Sequence, residues 1–171
     1  MSLTAGLSIP CEVRSGGLLK LFLANVDDVT SFTLTGELYS AVTMESSKVF
    51  FEFEFEQDTA EYRENVVREN GSGKVTHEVE WFTPKLTQTN RDRLQEILEA
   101  SSCGMIAIVE DANNTLWVVG FSEKFKKKRA LKLLSDATLT GKAFTDLTGS
   151  TVIVMAEDTE KSRSFTGVVP V

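Results

Sequence analysis

The sequence predicts a mainly β protein, an antiparallel sandwich or barrel of about eight to ten strands with one flanking α-helix. Three observations lead there. Val49 to Glu56 reads VFFEFEFE, and side chains alternate across a strand, so Val49, Phe51, Phe53 and Phe55 fall on one face and Glu52, Glu54 and Glu56 on the other. A helix would scatter both sets. Glycine-marked reversals separate further alternating or apolar runs, and one stretch, TQTNRDRLQEILEASS, carries a helical period.

From the N-terminus, residues 1–17 end in the breaker Ser15-Gly16-Gly17 and are expected as an extended arm. LLKLFLAN then reads as a short apolar strand closed by Asn25, and Val29 to Val42, rich in β-branched and aromatic residues and interrupted at Gly36, gives two short strands. A strand over about Lys48 to Glu56 follows. TAEYRENVVREN and KVTHEVEWF flank Asn70, Gly71, Ser72 and Gly73, a hairpin signal, because glycine reaches the positive φ angles of tight reversals. In the returning strand Val75, His77, Val79 and Trp81 share one face, and Thr76, Glu78, Glu80 and Phe82 the other. The acidic striping recurs.

The helix is expected over residues 88–101, with Leu94, Ile97 and Leu98 as one apolar stripe, Thr87 or Thr89 as its cap and Gly104 just past its end. So narrow a stripe places it on the outside of a sheet. MIAIVEDANNTLWVVGF predicts two apolar strands around Asp111 to Asn114. Ala130 to Leu134 and Thr151 to Ala156 are further strands, with Thr-Gly punctuation between them marking turns.

A chain of 171 residues fits a single domain, residues 1–171, with enough length for a self-sufficient core. Charged residues at 25% and apolar ones at 42% speak for neither a disordered nor a membrane class. Eighteen basic residues against 25 acidic ones give a formal charge of −7, which opposes nonspecific adhesion to nucleic acid. Cys11 and Cys103 form no C-x-x-C pair and read as buried small hydrophobes, not as zinc ligands. The N-terminus has no apolar core behind a basic lead, and no run of 18 apolar residues occurs, so the chain is expected in the cytosol that makes it or in a particle assembled there.

No residue set points to catalysis, a cofactor or a metal. His77, the one histidine, has no Ser, Cys or Asp at motif spacing, and the phosphate-loop, dinucleotide, zincin and EF-hand patterns do not occur. The pairs Glu52/Glu54 and Glu78/Glu80 are i, i+2 carboxylates on regular strands, which solvent normally satisfies. The basic run Lys124, Lys126, Lys127, Lys128 and Arg129 surrounds Phe125 and reads as a solvated strand edge or loop. In so acidic a protein it can also dock on the acidic surface of an identical neighbour.

VFFEFEFEQDTAEYREN, ASSCGMIAIVEDANNTLWVVGF and LLSDATLTGKAFTDLTGSTVIV resemble stretches of structural virion proteins of tailed phages that infect Bacteroidetes, and the closing strand pattern is similar to that of phage tail tube (major tail) proteins. The resemblance implies a non-enzymatic sandwich that assembles with itself into hexameric rings stacked as a tube, in the bacterial host cytoplasm and then the virion tail. Partners would be identical copies, other tail or connector proteins, and genomic DNA that passes without specific binding; no membrane is implied. Tail tube lumens are typically acidic, so that a passing polyanion meets repulsion on every side. On that reading Glu52, Glu54 and Glu56 line the channel, with Glu78 and Glu80 as further candidates. Asn70, Gly71, Ser72 and Gly73 in the hairpin, the N-terminal arm, and the basic run from Lys124 to Arg129 are the expected contacts between subunits. Alternatives are a connector, terminator or baseplate ring of the same fold, a β-sandwich hydrolase using a carboxylate pair, and a monomeric binding module.

Overall fold

The computed structural model describes residues 3–171, so the first two residues of the expected arm lie outside it. Among the described residues eleven strands form two sheets, accompanied by one α-helix. The seven-stranded sheet contains β1 (Leu18–Asn25), β2 (Val29–Thr35), β3 (Leu38–Met44), β4 (Phe51–Glu52), β7 (Met105–Asp111), β8 (Leu116–Val119) and β11 (Arg163–Phe165), in the order β2-β3-β11-β8-β7-β1-β4. The four-stranded sheet contains β5 (Glu61–Glu69), β6 (Ser72–Pro84), β9 (Lys132–Leu139) and β10 (Gly149–Asp158), in the order β5-β6-β10-β9. Helix α1 spans Gln88–Ala100.

Strands β1 and β7 explain the architecture. Both are apolar at consecutive positions because both are walled on two faces. Leu21 and Leu23 of β1 and Met105, Ala107 and Val109 of β7 enter a core shared with Val79, Trp81, Val152 and Val154 of the four-stranded sheet and with Leu94 and Ile97 of α1. Their alternating neighbours, Phe22, Ala24, Ile106 and Ile108, enter a second core with Val29, Phe32, Tyr39, Phe50 and Phe165. In that core Phe32 lies 5.2 Å from the Tyr39 ring and 4.9 Å from the Phe121 ring, both tilted, an arrangement that adds aromatic contact to the burial.

The turns follow their residues. Asn70 and Gly71 both take positive φ, 49° and 80°, the pairing that a two-residue reversal between right-twisted strands needs. Between β7 and β8 the Asp111 carboxylate accepts from the Asn113 and Thr115 backbone N–H groups and from Trp117 Nε1. Helix α1 is capped by Thr87, whose side chain accepts from the Asn90 N–H at 3.1 Å. Leu94 and Ile97 are buried as expected, whereas Leu98 is half exposed beside β9.

The expected strand over Lys48 to Glu56 is shorter in the structure: only Phe51 and Glu52 are ladder residues, on the edge beside β1. The chain then changes sheets. Phe53 N–H donates to the Leu21 carbonyl in one sheet, and Glu56 N–H donates to the Phe82 carbonyl in the other. The alternation records burial on one side of a crossing segment: Phe53 and Phe55 pack on the shared core while Phe51 is 59% exposed. Strand β11 has no counterpart in the sequence reading, and it joins β3 in parallel through Phe165 opposite Tyr39. Leu3 to Arg14 lie along no sheet and are exposed. No described helix is long and apolar enough to cross a membrane.

Candidate assembly surface

The four-stranded sheet carries Glu78 and Glu80 of the five glutamates read as channel lining. Its inner face carries Val75, His77, Val79 and Trp81 of β6 and Val152, Val154 and Ala156 of β10, all buried. Residues directly opposite each other on neighbouring strands share a face, so the register defines the outer one. Arg63 stands opposite Glu78 and Glu61 opposite Glu80, while Met155 and Ile153 of β10 stand opposite the same two glutamates. Across that face Glu61, Glu69, Glu78, Glu80 and Glu157 outnumber Arg63, Lys74 and Lys132.

Arg63 organises the acidic centre. Its Nη1 lies 2.8 Å from Glu61 and 2.9 Å from Glu80, and its Nη2 lies 3.1 Å from Glu78. The hydrogen bonds it donates to Glu78, Glu80 and Glu61 push the guanidinium further up from its already high range, so it stays charged. A second pair, Lys74 to Glu157 at 3.1 Å, ties β6 to β10.

Neither margin of this sheet pairs with a further strand, although on the β9 side the Leu133 N–H donates to the Ser101 hydroxyl at 2.8 Å. Strand β5 pairs with β6 alone, and β9 pairs with β10 alone. Every pairing is antiparallel, so strand direction alternates through the four and the margins run in opposite senses. An open margin presents a row of unpaired N–H and C=O groups, a template for another chain. Beyond Asp158, the last β10 residue, which sits opposite Val75, the β5–β6 hairpin continues from Val67 to Lys74 as a free ribbon. It projects roughly 10–13 Å at the rise of a strand. Asn70, Gly71, Ser72 and Gly73 form its exposed tip.

The other sequence-derived residues fall elsewhere. Glu52, Glu54 and Glu56 are exposed along the crossing segment, and the Glu56 backbone alone is hydrogen-bonded to the four-stranded sheet. Glu78 and Glu80 therefore sit on a different element from the first three. The basic run is a loop with a 3-10 turn, not a strand edge, and part of it is used internally: Lys126 pairs with Glu123 at 2.5 Å and Lys127 donates to the Val29 carbonyl. Lys124 and Arg129 flank the Phe125 ring at 5.1 and 5.5 Å. Sequence reasoning missed Arg63 and the β9 margin; the alternation of Glu61 and Arg63 gave the only hint.

His77 belongs to a network at one end of the shared core. Its Nδ1 is 2.8 Å from the Tyr62 hydroxyl and its Nε2 is 3.0 Å from the Glu160 carbonyl. Glu64 accepts from the Tyr62 hydroxyl at 2.5 Å, the Ser162 hydroxyl at 2.6 Å and the Ser162 N–H at 2.7 Å. Burial alone would raise this carboxyl, yet hydrogen bonds from His77, Ser162 and Tyr62 outweigh it and hold Glu64 well below the usual carboxylate range. The serine hydroxyl is directed to the carboxylate, not to the imidazole, so the arrangement pins the loop after β10 to the base of the hairpin. Among the described residues, no group of three His, Cys, Asp or Glu side chains is placed to hold a metal. No family model, curated protein or solved structure matches this chain.

Proposed function

We propose that this chain is a non-enzymatic structural subunit of a phage tail that assembles into rings, stacked as a tube through which DNA passes. One observation carries the reading: a four-stranded antiparallel sheet with one dry face, one acid-rich wet face and two margins of opposite direction that pair with no further strand. Pairing β9 of one copy with β5 of the next preserves antiparallel alternation around a closed ring. The contact is head to tail, the type that generates rings when the rotation closes. Closure pairs both margins of the four-stranded sheet at once. Glu61, Glu78 and Glu80 then face the bore, with Glu56 anchored beside Phe82 at one end, and a passing phosphate polymer meets excess negative charge. The protruding hairpin suits contact along the tube axis.

A head-to-tail connector, terminator or baseplate ring uses the same sheet, and the particle around it makes the difference. Negative-stain microscopy of the concentrated protein tests the proposal. Rings or tubes with a central hole are expected, and a persistent monomer at every concentration and salt overturns it.

A further inference from the structure

The β9–β10 connection, residues 140–148, presents an aromatic ring wholly to solvent. Phe144 is fully exposed and Leu147 is 67% exposed. The loop is not slack, because the Asp146 carboxylate accepts from the Lys142 and Ala143 N–H groups, each at 2.8 Å, and the Asp146 N–H donates to the Ala143 carbonyl. Scattered exposed apolar side chains are ordinary on a protein surface. An aromatic held outward by a loop that closes on its own backbone is a shaped projection.

The same chain carries a recess of matching chemistry. Leu23, Phe51, Phe53, Ile97, Ala100 and Met105 line a groove of about 340 Å³ between the β1–β4 edge and the C-terminal half of α1. Phe51, which the crossing segment leaves 59% exposed, forms part of its wall. Glu96 and Glu99 stand on the rim. Arg93 shares the charge of Glu96 at 2.6 Å, whereas Glu99 takes only the neutral Gln95 amide at 3.2 Å. Lys142, two residues before Phe144, brings the complementary charge.

In the monomer this ring does not occupy its own groove. Lys85 N–H donates to the Thr148 carbonyl, and Asn90 Nδ2 donates to the Lys85 carbonyl, so the loop is anchored at the N-terminal end of α1. The helical residues lining the groove, Glu96 to Ala100, lie six to ten residues beyond Asn90, roughly 9–15 Å along the axis, and the fully exposed Phe144 is not among the groove's residues. We propose that Phe144 of one copy inserts into the groove between Phe51, Phe53 and α1 of a second copy, with Lys142 against Glu99. The inference rests on the self-assembly reading and adds a contact that strand pairing does not supply. Projection and recess are different surfaces, so the contact is directional and each copy gives one and receives one.

Cross-linking of the full chain tests it, in a background with Cys11→Ser and Cys103→Ser, since both thiols are exposed. Lys142→Cys and Glu99→Cys chains, mixed and treated with a short bismaleimide, are expected to give a mixed dimer that neither chain gives alone. Adding Phe144→Asp to the first chain should abolish it, and in the parent chain this change should raise the concentration needed for assembly at least about tenfold, as for an aromatic anchor. The thermal midpoint of Phe144→Asp should be unchanged, since the ring touches nothing in the monomer. Assembly that proceeds without the cross-link and is indifferent to Phe144→Asp overturns this contact and leaves the self-assembly reading standing. A chain that never assembles overturns both.

Discussion

Arg63 meets Glu78 through two nitrogens, Nε at 3.3 Å and Nη2 at 3.1 Å, directly across the β5–β6 ladder. The same guanidinium serves Glu61 and Glu80. Arg63→Gln should therefore leave three neighbouring carboxylates without their cation. The side chains are partly exposed, so the expected loss is about 1 kcal/mol, at the upper end for surface pairs because a network is involved. Urea unfolding at low and high salt checks it. The deficit should shrink as salt screens the glutamates.

Glu64 ties stability to acidity. Its native carboxyl is held below the ordinary range, so between the two values the unfolded chain binds the extra proton. The contribution is complete above the unfolded value of about 4.3 and drains away as pH falls below it. Glu64→Gln keeps the shape but loses the charge-assisted bonds, and should cost about 2–4 kcal/mol at neutral pH. The mutant's acid limb, followed by circular dichroism from neutral to acid, should be flatter than that of the parent.

Gly149 opens β10 with φ at 153°, and a Cβ there would stand 2.3 Å from the Thr83 carbonyl and 2.7 Å from the Phe82 ring. The Thr83 carbonyl is backbone and cannot retreat without parting β10 from the end of β6. Gly149→Ala should destabilise by about 2 kcal/mol or more, counting strain and clash together. Gly73→Ala, in open space near the hairpin tip, is the control and should change thermal stability little.

Replacing Glu52, Glu54 and Glu56 together with lysine addresses the crossing segment. All three are exposed, so the fold should survive with a change of about 0.5 kcal/mol or less per site. If the segment lines the bore along with Glu78 and Glu80, DNA ejection in a complementation assay should fail even though particles assemble. Normal ejection would confine the channel lining to the four-stranded sheet.

The parts of this molecule legible in the sequence are those governed by local chemistry. Alternation located β6, Asn70-Gly71 located the hairpin, and a Thr87 or Thr89 cap with the Leu94, Ile97 and Leu98 stripe located the helix, of which Thr87 proves the cap and Leu94 and Ile97 the buried face. Partner identity was not legible. VFFEFEFE has the pattern of a strand whether its N–H groups find one ladder or two, and only tertiary packing sends Phe53 to Leu21 and Glu56 to Phe82. Three-residue β11 is too short to show a period. Lys126 and Lys127 read as free surface charge because Glu123 is an ordinary loop acid in sequence and the Val29 carbonyl lies 98 residues away. The Lys127 contact is long-range closure and leaves no local mark.

Strands β1 and β7 serve as a party wall between two hydrophobic rooms, and neither room keeps its shape once the wall is removed. Melting should therefore be a single cooperative event despite the two cores, with one calorimetric peak whose van't Hoff and measured enthalpies agree. The last amides to exchange with deuterium should be those of Leu21 to Ala24 and Ile106 to Val109.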